Sequence, residues 1–300
     1  MISWLTDPFA YDFMVRALAT TLLSTIVCAL LSCGLVLGGW SLMGDAVSHA
    51  VFPGVVLAYI AGVPYAVGAV VFGFLAVGLI GLVRDTSRVK EDAAIGIVFT
   101  TLFAIGLVLI SVTPSQTDLN HIIFGNLLGV SKADLMQIVV LGVLVFAVLV
   151  LKRRDFVLFA FDPVHAHAIG MNPKLIGAGL LALLALTCVV GLQAVGVILV
   201  VAMLIIPGAT AYLLTNRFWH MLIIAPSIAA LCAVVGLYAS YYLDASPGGL
   251  VVVAQGAAFI LVYLFSPLQG IVATRWRVAK RRQETQTERP SQTGPAIQVG

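Results

Sequence analysis

The stretch FMVRALATTLLSTIVCALLSCGLVLG, residues 13–38, decides the fold class, because Arg16 is its only charged residue. A hydrocarbon core of about 30 Å needs about 20 helical residues to cross it. Similar stretches recur along the chain, which is 61% hydrophobic and only 10% charged, whereas soluble domains carry about 25% charged residues. The apolar runs are long and lack the short alternating pattern of a membrane barrel. The sequence therefore predicts an all-α, polytopic membrane helical bundle.

Charged and turn residues divide this apolar sequence into eight candidate spans within a predicted transmembrane domain of residues 1–270. One further apolar piece, residues 46–60, is short and contains Pro53. It is predicted to be either a short span or a broken helix that enters from one side, so the predicted count is eight or nine. The eight candidates are residues 13–38, 65–83, 93–112, 135–151, 175–191, 194–214, 219–242 and 249–266.

Four clusters of basic residues are predicted to lie in the cytoplasm, because cytoplasmic loops of membrane proteins carry an excess of Lys and Arg. Residues 114–134 and 244–249 are then outside, and the N-terminus is cytoplasmic only if residues 46–60 do not span. Residues 275–300 are basic and then polar, and are predicted to form a disordered cytoplasmic tail that contacts anionic lipid headgroups, with no nucleic-acid partner. The clusters are Arg84, Arg88 and Lys90; Lys152, Arg153, Arg154 and Lys174; Arg217; and Arg275, Arg277, Lys280, Arg281 and Arg282.

Asp45 and His49 are the candidate binding residues, because an ionised Asp near the bilayer centre costs roughly 2.5–3.5 kcal/mol and is therefore expected to have a function. In a helix predicted to start at Asp45, the spacing of four residues places both on one face with Pro53. Carboxylate plus imidazole suits Mn(II), Fe(II) and Zn(II), and lacks the thiolates of a Cu(I) site. Two ligands are too few for such a metal, so a two-fold homodimer that supplies two Asp and two His is expected.

Pro53 is interpreted as a helix break that serves gating, because proline removes a backbone donor and leaves the His49 carbonyl without its usual helical partner. The neighbouring face of the same helix is predicted to pack closely against another helix, since it consists of small residues. These residues are Ala46, Ala50, Gly54 and Ala58.

The alternative interpretation is that Asp45 caps the helix N-terminus after Gly44, and that His49 is an interfacial or core histidine. Enzyme chemistry is not predicted, because the sequence contains no GxxxxGK[ST], HExxH or GxSxG motif. No catalytic residue is therefore assigned. If ATP supplies energy, another subunit must bind and hydrolyse it.

The cytoplasmic segment Lys152–Lys174 is predicted to contain a short amphipathic helix around residues 163–169, closed by Gly170 and Asn172. This helix is expected to present apolar side chains to a partner. Those side chains are Phe159, Phe161, Val164 and Ala168.

Residues 39–59, GWSLMGDAVSHAVFPGVVLAY, resemble the signature segment of the membrane permeases of bacterial metal-uptake ABC transporters, the ABC-3 family that imports manganese, zinc and iron. The WSLMGD lead-in is most similar to the manganese and manganese/iron branch. Phe52, where the family more often has Leu, and the basic tail are departures. The resemblance extends to about Pro267 and includes Phe13–Leu18, Glu91–Ile97, Phe161–Asn172 and Val195–Ala211.

The resemblance implies a homodimeric permease of the bacterial inner membrane with a fold related to the cobalamin-importer type. It implies two cytoplasmic ABC ATPase subunits, which bind the ATP, and an extracytoplasmic metal-binding lipoprotein. Asp45 and His49 would belong to the metal path, and the transported Mn(II), or Fe(II) or Zn(II), would be cargo, with no cofactor bound permanently. The residues implied to couple to the ATPase are Phe161, Asp162, Pro163, Ala166 and Gly170.

Two other functions remain compatible with the residues. One is a secondary divalent-cation carrier that works without ATP, and the other is a structural membrane subunit in which Asp45 is only a helix cap. The direction of transport follows from the resemblance alone, because nothing in the residue chemistry separates import from export.

Overall fold

A computed structural model describes residues 11–113, 132–161, 163–266 and 270, and the regular secondary structure in these ranges is entirely α-helical. The all-α fold class predicted from the sequence is confirmed. In chain order the helices are α1 (Asp12–Leu37), α2 (Ser41–Ala50), α3 (Phe52–Ala61), α4 (Tyr65–Thr86), α5 (Glu91–Val112), α6 (Lys132–Leu151), α7 (Arg153–Phe161), α8 (Pro163–Ala168), α9 (Pro173–Val195), α10 (Val197–Leu214), α11 (Phe218–Leu243) and α12 (Pro247–Phe265).

Six helical segments in these ranges are long and apolar enough to cross a membrane. They are α1, α2 together with α3, α4, α5, α11 and α12. Helices α6, α9 and α10 add shorter apolar stretches at residues 138–151, 175–189 and 199–214. The described part of the chain thus contains six candidate spans and three shorter apolar helices, and the choice between eight and nine spans stays a prediction.

The apolar piece at residues 46–60 belongs to a longer helical run, Ser41–Ala61, of 21 residues. The run is interrupted only at Val51, whose φ of −72° and ψ of −18° stay in the right-handed helical region. Because α2 begins at Ser41, the prediction that this helix starts at Asp45 is wrong. Its length supports the prediction of a span.

The two ends of α1 fix its direction in the bundle. The ring of Tyr11 lies 6.3 Å from the ring of Tyr241 near the end of α11, measured between centroids, whereas the Cys33 Sγ lies 3.5 Å from the Met221 carbonyl oxygen near the start of α11. Helices α1 and α11 are therefore antiparallel. The N-terminal end of α1 lies at the same end of the bundle as the link after α11, which the charge pattern predicts to be outside.

Glycines hold α3 between two neighbouring helices. Gly54 approaches Gly68 of α4 so closely that a Cβ added to either would overlap the carbonyl oxygen of the other. On another side, a Cβ at Gly106 of α5 would lie 2.6 Å from the Phe52 ring and 3.1 Å from the Pro53 nitrogen. Small residues permit such close helix contacts within lipid. The predicted packing face is confirmed, since Ala46, Ala50, Gly54 and Ala58 are all buried.

Three sequence predictions concern residues that the structure does not describe. The polar tail at residues 275–300 lies outside the described residues, as does most of the predicted external segment, residues 114–131. Asp162, one of the implied coupling residues, also lies outside them. These assignments stay predictions.

Candidate metal-binding site

Asp45 and His49 lie one turn apart inside α2, and neither is at its N-terminus. The N-cap position of α2 is occupied by Trp40, without a side-chain capping hydrogen bond. Asp45 therefore lies in the second turn of the helix, where its side chain cannot act as an N-cap. The interpretation of Asp45 as a helix cap is wrong.

The imidazole of His49 is hydrogen-bonded to Asp45. Its Nδ1 lies 3.2 Å from the Asp45 Oδ1 and 3.0 Å from the Asp45 backbone carbonyl oxygen. Both oxygens accept hydrogen bonds, so Nδ1 carries the ring hydrogen, and in the neutral ring the lone pair is on Nε2. A carboxylate that orients a histidine in this way is a common arrangement around protein-bound metals.

Two phenylalanines of α5 contact the His49 ring edge-to-face. The ring centroids of Phe99 and Phe103 each lie 5.3 Å from the His49 centroid, and Phe103 also lies 5.7 Å from Phe52. Both phenylalanines are near the middle of α5, a helix of 22 residues. Because α5 is long and apolar enough to cross a membrane, His49 lies level with the middle of a candidate span.

The side chains of Asp45 and His49 are partly exposed on the surface of the single chain. The side chains of His49 and Asp45 are 24% and 35% exposed. The helices α2 and α3 also carry exposed apolar residues, so the pair is a polar part of an otherwise apolar surface. An ionised carboxylate is costly against lipid, which favours coverage of this surface by protein. The exposed apolar residues are Leu42, Leu57 and Ile60.

One chain would supply two ligands at this candidate site, Asp45 and His49. No group of three or more His, Cys, Asp or Glu side chains that could hold a metal ion occurs within the described ranges. The pair offers one carboxylate and one imidazole nitrogen, a donor set that suits Mn(II), Fe(II) and Zn(II). A second copy of the chain would be needed to provide four ligands.

Pro53 lies in the first turn of α3, two residues after the interruption at Val51. It has no N–H and cannot donate the helical hydrogen bond to the His49 carbonyl oxygen. Its side chain is buried against α5 next to Gly106. The interruption at Val51 agrees with the predicted helix break, whereas the gating role assigned to Pro53 stays a prediction.

The short helix predicted in the cytoplasmic segment is present as α8, and it ends as predicted. Gly170 has a φ of 85°, in the left-handed region that favours glycine. Its N–H donates to the His167 carbonyl oxygen at 3.1 Å, and the Met171 N–H donates to the Ala166 carbonyl oxygen at 3.0 Å. These bonds satisfy carbonyl groups at the helix C-terminus.

The side chains of α8 and of the turn after it are partly buried and partly exposed. Ala166 is fully buried, where α8 contacts α7 and α9, so it is not available to a partner. Ile169, in the turn after α8, is 55% exposed. Sequence reasoning did not single out Ile169, although an apolar residue just before a helix-stopping glycine was a usable signal. Phe161 ends α7 and Pro163 begins α8.

Of the four apolar side chains predicted to face a partner, Ala168 is exposed. The side chains of the other three lie outside the part of the chain that the structure describes, so their contact with a partner stays a prediction. These three are Phe159, Phe161 and Val164.

Comparison with known proteins agrees with this architecture. Residues 10–266 match the ABC 3 transport family. The chain is 49% identical over 274 residues to the manganese transport system membrane protein MntB of Synechocystis sp., with 91% of this chain and 90% of that protein covered. It is 43% identical to the chelated iron transport system membrane protein YfeD of Yersinia pestis, covering 99% and 98%.

A solved structure is similar over nearly the whole chain. PsaBC from Streptococcus pneumoniae in complex with Fab superposes with a TM-score of 0.84 at 36% identity, covering 93% of this chain and 100% of that chain. The chain belongs to the ABC 3 transport family. It is a multi-pass permease of the bacterial inner membrane, and the family predicted from residues 39–59 is confirmed.

Proposed function

We propose that this chain is the permease subunit of an ATP-driven importer of Mn(II), with Fe(II) as a second cargo. The observation that carries the proposal is the Asp45–His49 pair, which is hydrogen-bonded, partly exposed and level with the middle of a candidate span. Its hard carboxylate and borderline imidazole suit both metals. The names of relatives 49% and 43% identical to this chain refer to manganese and chelated iron transport.

Two copies of the chain would bring two Asp45 and two His49 side chains to a shared axis. This arrangement completes a four-ligand site, and it covers the polar part of the exposed surface with protein. Two ATPase subunits on the cytoplasmic side and a metal-binding lipoprotein on the other side complete the proposed transporter. ATP binding by the partner subunits would switch the central path between its two accessible sides.

Transport by the purified complex in liposomes tests the proposal. We expect uptake of Mn(II) that requires ATP on the ATPase side and metal delivered by the lipoprotein. Competition between Mn(II), Fe(II) and Zn(II) measures selectivity. Uptake at the same rate without ATP would contradict the proposal and favour a secondary carrier.

We further propose that α8 and the turn after it contact the ATPase. A charge at the exposed Ile169 should disturb this contact without disturbing the core. Ile169→Glu is therefore expected to reduce metal-stimulated ATP hydrolysis strongly, while the permease remains folded and dimeric.

The matched control is Val89→Glu, which places the same charge at another exposed aliphatic residue on the predicted cytoplasmic side. ATP hydrolysis and size-exclusion profiles are compared for both variants. Normal hydrolysis in Ile169→Glu would remove this segment from the coupling mechanism. Ala166 is unsuitable for this test, because a glutamate there would enter the core.

A further inference from the structure

A polar contact joins α2, which contains Asp45 and His49, to α9, the helix that follows the coupling segment. The coupling segment is α8 together with the turn after it, residues 163–170. Ser48 precedes His49 in α2 but is fully buried, and Cys188 of α9 is fully buried as well. The Ser48 Oγ lies 3.2 Å from the Cys188 Sγ. The contact is therefore on the inner side of α2, away from the open Asp45–His49 surface.

The number of hydrogens available decides which of the two atoms, Ser48 Oγ or Cys188 Sγ, is the donor. The Ser48 hydroxyl lies 2.7 Å from the Gly44 carbonyl oxygen, which can only accept. The single hydroxyl hydrogen of Ser48 is thus used within α2. The Cys188 thiol must supply the hydrogen of the second contact, so α9 donates to α2 at a point one residue away from His49.

Helix α9 is suited to carry movement from the coupling segment to this contact. It begins at Pro173, just after Gly170, and continues without interruption to Val195. Near its middle it packs against α4, where a Cβ added to Gly73 would lie 3.0 Å from the Ala185 Cβ. A continuous helix packed in this way moves as a unit.

We propose that the Cys188–Ser48 hydrogen bond joins the coupling segment to the metal ligands, with Cys188 as a positioning residue. A shift of α9 imposed at its cytoplasmic end would pass to the turn of α2 that contains Asp45 and His49. This proposal rests on the proposed function, because it requires ATP-driven transport.

The test compares Cys188→Ala, which removes the donor, with Cys188→Ser, which keeps one. Metal ions transported per ATP hydrolysed are measured in proteoliposomes, together with basal ATP hydrolysis, Mn(II) affinity and thermal stability. We expect Cys188→Ala to lower the transport ratio about three-fold or more, in line with the loss of a net hydrogen bond. Basal hydrolysis should be unchanged, and Cys188→Ser should retain the ratio.

Cys33→Ala is the matched control, because Cys33 is also fully buried and its thiol lies against the carbonyl oxygens of Ala29 and Met221, which belong to neither α2 nor α9. It should retain the transport ratio. An unchanged ratio in Cys188→Ala, or equal losses in Cys188→Ser or Cys33→Ala, would overturn the proposal. If Cys188→Ala does not fold, Ser48→Ala removes the acceptor and is judged by the same criteria. Absence of ATP-dependent uptake in the unmodified complex would instead refute the proposed function.

Discussion

Asp45→Asn should nearly abolish metal uptake by the assembled transporter. Asparagine keeps the size of aspartate and one side-chain oxygen that can accept a hydrogen bond, but it removes the charge that a divalent cation requires. Changes to a residue that merely supports a metal ligand already cost about 10- to 100-fold in affinity or activity. Both copies of the chain would lose a ligand together, so we expect the uptake rate to fall by at least about 10- to 100-fold. The measurement is the initial rate of Mn(II) uptake in proteoliposomes.

His49→Ala should have a comparable effect, and the double variant should be little worse than either single one, since both residues serve one site. Asp244→Asn is the matched control. Asp244 lies at the far end of α11 with a φ of 48°, a left-handed conformation that asparagine tolerates well. Full uptake by Asp45→Asn, in protein that is inserted and assembled, would show that Asp45 is not a ligand.

Gly68→Ala should strongly destabilise the permease. Its added methyl group would overlap the backbone of Gly54, so α3 and α4 would have to move apart. Overpacking of this kind typically costs about 1–3 kcal/mol, and backbone displacement raises the cost. We expect a clear fall in the melting temperature of the detergent-solubilised protein.

Gly78→Ala is the control on the same helix, because a Cβ at Gly78 meets nothing within 4 Å. Alanine is favoured over glycine inside a helix by about 0.5–1 kcal/mol, so this variant should be as stable as the unmodified protein or slightly more stable. Equal melting temperatures for the two variants would contradict the close α3–α4 crossing.

Much of the fold could be predicted because the apolar layer imposes a simple rule of length and charge. The spans lie where charged residues are scarce, and Asp45 stood out because little else in them is ionisable. The small-residue face of α2 and α3 could also be predicted, since its spacing follows the helical repeat.

Other features depend on contacts between distant parts of the chain. The start of α2 at Ser41 lacks a capping side chain that could have signalled it. The inward direction of Ala166 depends on how α8 lies against its neighbours. The contacts of His49 with Phe99 and Phe103 depend on the alignment of α2 with α5. The spacing of residues along the sequence does not determine how one helix is aligned against another.

The close contacts of Gly54 with Gly68, and of Gly106 with Pro53, have a mechanical consequence. Close packing of this kind resists displacement, so we expect α3, α4 and α5 to move as one body. Phe99 and Phe103 belong to α5 and contact the His49 ring edge-to-face. Access to the proposed metal ligands, Asp45 and His49, would then change by relative motion between whole subunits or by bending of α2 at Val51. Separation of α3, α4 and α5 would not be needed.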